Sequence, residues 1–586
     1  MTQNIKCKRW FSAPCAGLVL FFFALQGCSS QTSDTSGAFN DATTDHNAAE
    51  DTLSTAITNL NRLDEFESSG MLSEVVDDLN NWMRDADVSD EWRADPLLAT
   101  IPKPIVENPP SGLATLAKCE FTQSDGLALR EAIWLRDVSR WARGKSADDL
   151  TRARQLFDWT VRNIQLITAG EVRRGEAAMR FHRVEPAPWE VLLFGRGTAI
   201  ERAWVFILLA RQQGIEAALL AAGPSKPGDE PQASCVGVLV EGKIYLFDPN
   251  LGLPLPAPNG VKLDAAGGLD VQPATLEQLA NDAAVWKQLQ LDGKKEPAGV
   301  LTPDGARKVL VLVEGSPLYL ARRARLLESR MTGKQKAVLS VDLSAQAARW
   351  KACAQVGEVR VWLHPYAVAF QPNDEPQNFQ RKAAMLPFHV NYVQFGPTEN
   401  DGLWDVSQAT GPLWIGRILY LKGLLVGDGG AVDKYQSVRP ASQDLQDGEK
   451  RHLDRLFANA QKQFGDQPVP DSTLDMIGRY VRGVRARVLE AKQDASYWLG
   501  LLAFTRGQYS SAVDYLAKRV EQPDIPMRWA RGVRYNLARS YEALGQRAKA
   551  IEVYRQDGPG GDDGQLLRAQ WIVKVDPAAA ADKVTR

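Results

Sequence analysis

Between Thr198 and Ile215 the chain reads TAIERAWVFILLARQQGI, and no other stretch restricts the fold so tightly. Trp204, Val205, Phe206, Ile207, Leu208 and Leu209 are consecutive and apolar, so a helix through them is apolar on every side. Such a helix is stable only inside a domain core. Thr198 followed by Glu201 is the pattern of a capping box, in which each side chain takes the other residue's backbone amide. The spacing predicts a buried helix with Thr198 as N-cap and Ala199 as first residue, ending at Gly214-Ile215. Capping accounts for Thr198 without giving it a nucleophile's role.

The residues after the helix are strand-like. Ile215 to Ala222 reads as a strand, and GPSKPGDEPQ (Gly223 to Gln232) as a loop by its Gly and Pro content. SCVGVLVEGKIYLFDP reads as a hairpin turning near Gly242 and stopped by Asp248-Pro249-Asn250.

The order of buried helix, Gly-Ile exit, hairpin and strand-ending Asp-Pro resembles the core of the transglutaminase-like (papain-related) superfamily, over roughly Ser111 to Pro258. The resemblance implies a cysteine opening the helix, where the dipole and unpaired amides lower its thiol pKa. It also implies a histidine base in the first hairpin strand and an aspartate that orients it. Here those positions hold Ala199, Ala233 and Asp248, with Cys235 where the family's tryptophan stands. A lone aspartate performs no acyl transfer, so no catalytic residue is expected, and Asp248 reads as a turn opener. The one rescue the sequence offers is Cys235 with His182 of FHRVEPAPWE, although a cysteine within SCVGVLV reads first as a small buried hydrophobe. That rescue defines the alternative: a cysteine peptidase or amide-bond enzyme acting on protein or peptidoglycan with a relocated nucleophile.

At the N-terminus Lys6, Lys8 and Arg9 precede an apolar run, Ala16 to Ala24, too short to span a bilayer. Leu25-Gln26-Gly27-Cys28 then resembles the bacterial lipobox. This implies a signal peptide over 1–28, lipid on Cys28 and a bacterial cell-envelope location, with Ser29 pointing to the outer membrane and the periplasm. Residues 29–50, rich in Ser, Thr, Asp and Asn, read as a flexible tether. A formal charge of −2 and a pI near 6.3 argue against a nucleic-acid partner. Of six cysteines only Cys119, Cys235 and Cys353 lie beyond the lipobox, so at most one disulfide is possible. The histidines lack ligand spacing and GDGG at Gly427 lacks a Walker Lys, so neither metal nor cofactor is expected.

The remaining segments complete an α+β organisation. Residues 51–110 read as a helical arm with a Pro-rich linker, IPKPIVENPP, before the transglutaminase-like region at 111–258. Residues 259–438 read as a separate α+β middle region, with strand-like runs from Leu310, Ala337, Val359 and Leu386 and a basic, solvated helix at ARRARLLESR. Over 449–586, Ser496–Leu516 aligns with Arg534–Tyr554, placing Leu499 with Leu537, Gly507 with Gly545 and Ala512 with Ala550. This pair resembles the tetratricopeptide repeat; helices at 449–464, 471–492 and 563–575 are expected to complete the array, which implies a concave surface for peptides. The function expected from these parts is a lipid-anchored binding or scaffolding protein with envelope proteins or peptides as partners.

Overall fold

The computed structural model describes residues 41–63, 70–85, 92–102, 113–179, 183–222, 233–264, 267–291, 297, 299–369, 375–392, 404–405, 411–522, 524–556 and 563–581. Two units divide the chain: residues 1–48, described only over 41–48, and Ala49–Arg586. Helix α1 spans Asp41–Arg62, so it begins inside the stretch expected to be a tether. Buried Leu53, Ala56, Ile57 and Leu60 supply the helical period that the polar residues before them extend. Helices α2 (Gly70–Asp85), α3 (Gln123–Ala142), α4 (Asp149–Asn163), α5 (Ala169–Met179) and α6 (Pro188–Phe194) come next.

The predicted core helix is α7, Ala199–Arg211, and every residue from Glu201 to Arg211 is buried. It packs on α3, α4 and α6 and on the sheet. Phe206 meets Phe157 of α4 and Phe247 of the hairpin at ring centroids of 5.1 and 5.4 Å. Ahead of α7, β1 (Gln165–Leu166) pairs in parallel with β2 (Arg196–Gly197). The hairpin stands as expected, with β3 at Glu216–Ala222, β4 at Ala233–Val240 and β5 at Lys243–Asp248. Beyond it lie β6 (Leu253–Pro254), β7 (Pro256–Leu263) and β8 (Leu269–Pro273), the last two forming a small ribbon.

The boundary expected at 258/259 falls inside β7, and the middle region is not separate. Its strands β9 (Val309–Val313) and β10 (Val356–Val361) join the hairpin in one sheet of order β10-β9-β3-β4-β5-β6. The reason is that β9, VLVLV, is apolar on both faces and finds paired neighbours only inside a sheet: β3 antiparallel, β10 parallel. The other strand-like runs depart from the expectation. At Val338 and Leu339 the backbone bonds to side chains instead of a ladder: Val338 exchanges bonds with the Gln212 amide at 3.0 and 2.9 Å, and Leu339 N–H donates to Glu328 at 2.8 Å. After β10 the expected strand turns helical at His364–Ala369, and the run from Leu386 opens as a 3₁₀ turn at Leu386–His389 and keeps only a two-residue strand, Asn391–Tyr392, paired antiparallel with Trp404–Asp405. In the basic run, α8 (Arg322–Arg330), Arg323 is not solvated; its guanidinium is buried and forks onto Asp125 at 2.7 and 3.0 Å.

The C-terminal part is helical: α9 (Pro412–Leu421), α10 (Ala431–Ser437), α11 (Ser442–Phe464), α12 (Asp471–Thr505), α13 (Tyr509–Asp514), α14 (Ala530–Ala543), α15 (Arg547–Tyr554) and α16 (Asp563–Val575). The helix read at 471–492 does not stop there. No breaker separates it from Ser496, so it runs on as the first helix of the first repeat. Gly507 and Gly545, aligned in the sequence, both adopt positive φ (72° and 70°) and end the leading helix of each pair. No helix among the described residues is long and apolar enough to cross a membrane.

Candidate functional site

The start of α7 is built as the sequence reads. Thr198 is the N-cap, its hydroxyl accepting from Glu201 N–H at 3.4 Å while Glu201 Oε2 accepts from Thr198 N–H at 2.9 Å. Arg183 forks onto the same carboxylate at 2.5 and 3.0 Å. Thr198 is thus committed to the cap, and half-buried Ala199 brings no functional group to the first turn. Ala233 opens β4, but its side chain lies outside the described residues, as do His182 and Cys28.

Asp248 ends β5 with no exposure at all. Its Oδ1 accepts from Asn250 N–H at 2.8 Å and Leu251 N–H at 2.9 Å, so it opens the turn as the Asp-Pro-Asn sequence implies. Its Oδ2 is buried without a hydrogen-bond partner. Burial raises its pKa to about 7 even against the two backbone donors. The ladder pairs Val236 with Phe247, which sets Cys235 opposite Asp248. Cys235 is fully buried, and burial, reinforced by the Asp248 charge, pushes its thiol pKa well up. A buried neutral thiol beside a carboxylate is the inverse of an activated nucleophile. Cys119, Cys235 and Cys353 are all free thiols.

His364 sits against α7. Its ring stacks on Trp362 (5.5 Å) and meets Trp204 of α7 edge-on (5.4 Å), and Nδ1 lies 3.5 Å from Glu185. Burial lowers its pKa against the pull of Glu185 and Glu201. Nothing in a Trp-Leu-His tripeptide after a strand announces this placement, which depends on β10 joining the sheet. Deeper behind α7, Glu131 accepts from Trp189 N–H at 3.0 Å and is held protonated, its pKa pushed to about 8 by burial and by Glu314 and Glu190. Among the described residues no group of three or more His, Cys, Asp or Glu side chains forms a metal site.

The other side of this region is closed by the C-terminal helices. Gln165 of β1 is held at both ends of its amide, donating to Arg528 O at 2.9 Å and accepting from Gly532 N–H at 2.8 Å. Asn536 donates to Arg162 O at 3.0 Å, and Arg539 reaches Asp158 at 2.6 Å. Burial opposes ionisation of Asp158, but Arg539 and Arg162 outweigh it and hold the carboxyl below its ordinary range. Buried Glu542 takes Arg568 at 2.6 and 2.8 Å and Leu269 N–H at 3.2 Å, and Trp571 Nε1 donates to Gln288 O at 2.9 Å. Residues 533–556 match the tetratricopeptide repeat. Neither the curated proteins nor the solved structures contain a match to the chain. Tetratricopeptide repeats generally mediate protein–protein contacts. Here the leading helix α14 of the matched repeat and the flanking α16 face the chain's own α/β region, with Arg531, Asn536, Gln565 and Arg568 buried against it. The face of α14 and α16 that carries these residues is therefore covered by the chain itself.

Proposed function

We propose that the chain is a lipid-anchored protein of the bacterial cell envelope, outer-membrane and periplasm-facing, whose transglutaminase-like region is a catalytically degenerate binding and scaffolding module. The observation that carries this reading is the Asp248–Cys235 pair. The carboxylate is consumed by a turn, the thiol is sealed and neutral, and the helix that opens the family's active site begins with alanine. The buried helix α7, the hairpin and the strand-ending Asp-Pro support the transglutaminase-like fold, and the repeat supports protein partners. Anchoring rests on Lys6 to Cys28 alone.

The relocated-enzyme reading has one supporting observation, the His364–Glu185 pair beside α7, which is a base without a nucleophile. A thiol-directed activity probe applied to the folded protein separates the two readings. The scaffold reading expects no labelling at Cys235; labelling that disappears in Cys235→Ser establishes the enzyme. Metabolic labelling with an alkynyl fatty acid, lost in Cys28→Ala, checks the anchor. Crosslinking in intact cells, compared between the anchored chain and Cys28→Ala, is expected to yield discrete envelope partners.

A further inference from the structure

Arg202 stands one turn into α7 with 6% of its surface exposed. Its guanidinium donates to three backbone carbonyls, Ile164 O at 2.7 Å, Pro249 O at 3.1 Å and Val161 O at 3.4 Å, and to no carboxylate among the described residues. Carbonyl dipoles orient a cation but do not neutralise it, and buried charges are ordinarily paired. Burial lowers the Arg202 pKa, and Arg531 adds a second positive charge nearby.

Arg202 lines a half-enclosed cavity of about 30 Å³ at the seam between the Asn250–Gly252 turn and the repeat. Arg531 lines it as well, 8% exposed, with its partner Glu171 3.7 Å away and outside the lining. Asn250, Gln165, Gln565 and Tyr535 add polar groups, and no acidic residue borders the space. A space of this size admits a small group and not an extended substrate.

We infer that this cavity is an anion site, in which Arg202 and Arg531 together hold one small oxyanion, a carboxylate or phosphate group, between the turn that follows Asp248 and the tetratricopeptide helix α14. Two guanidiniums with further N–H donors around one pocket are the arrangement that carboxylate and phosphate oxygens satisfy. Because Arg202 belongs to the α/β region and Arg531 to the repeat, the anion ties the two together and is lost when they part.

The test uses the purified full chain, titrated with sodium phosphate or acetate at constant ionic strength against sodium chloride and followed by melting temperature and calorimetry. Saturable stabilisation beyond the chloride control is expected, with affinity falling about tenfold or more in Arg531→Gln and unchanged in Arg307→Gln, a surface control with 69% of its side chain exposed. Arg202→Lys, which keeps the charge but not the fork, is expected to weaken binding too; should it fail to fold, Arg531→Gln decides. A peptide ending in a free carboxylate, compared with its C-terminal amide, tells a chain terminus from a free ion as the source. Responses equal to the chloride control for every probe, or binding that is undiminished in Arg531→Gln, overturn the assignment.

Discussion

Replacing Asp248 by asparagine removes a charge while keeping the oxygen that accepts from Asn250 and Leu251. The folded-state pKa near 7, against 3.8 for an exposed aspartate, means that the folded protein binds a proton the unfolded chain has released between those values. Stability is therefore fully present below the unfolded pKa and declines as pH rises towards 7. At 1.36 kcal/mol per unit, the ionisation penalty grows by about 3 kcal/mol between pH 5 and pH 8. The Asp248→Asn variant carries no such penalty, and its unpaired amide group costs a constant 1–3 kcal/mol, roughly, at both pH values. Urea unfolding followed by tryptophan fluorescence at pH 5 and pH 8 reads the difference of differences, in which every other titrating group cancels. The variant is expected to be the less stable protein at pH 5 and to draw level or move ahead at pH 8. Parallel pH profiles for the two proteins would refute the reasoning, because they would mean that Asp248 is ionised in the folded state.

Three further outcomes are expected. Glu542→Gln leaves buried Arg568 without its counter-charge and should lower stability by about 3–5 kcal/mol at pH 7 in urea titrations; since burial is outweighed by Arg568 and the Glu542 pKa is lowered, the wild-type protein should itself lose this contribution as pH falls below the ordinary Glu range. Gly564→Ala drives a Cβ into the Leu251 carbonyl oxygen where backbone meets backbone, and should cost about 1–3 kcal/mol or more, seen as a lower urea midpoint. Thr198→Ala removes a cap and nothing catalytic, so a loss of roughly 0.5–2 kcal/mol without any change in partner capture is expected.

What could be read in the sequence was what depends on neighbours in the chain. The all-apolar turn of α7, the Thr198–Glu201 box, the hairpin about Gly242 and the paired glycines at 507 and 545 are local patterns, and the structure carries each of them. The joining of β9 to β3 is not local: 86 residues lie between Ala222 and Val309, and VLVLV alone names no partner. The same limit hid the seam. Arg531, Asn536 and Arg568 are polar, and their burial depends on partners distant in the chain: Glu171 for Arg531, the Arg162 carbonyl for Asn536, and Glu542 with the Leu269 carbonyl for Arg568. At the site itself, Thr198 as a helix cap and Asp248 as a turn opener were legible, whereas the raised pKa of Asp248 follows from a burial that no residue pattern encodes.

Helix α12 runs 35 residues without interruption, a rod of about 50 Å. One end lies in the antiparallel pair with α11, where Met476 and Tyr480 are more than half exposed, and the other carries Tyr497 and Trp498 into the aromatic stack on Trp529. A rod of this kind is stiff to bending, so a load applied at the exposed tip is delivered at the far end as a tilt instead of being absorbed on the way. Trp529 directly precedes α14, the helix that grips Gln165 through Gly532. A partner that pulls on the tip would therefore act as a hand on a lever whose short arm bears on the joint between the repeat and the sheet-bearing part of the molecule.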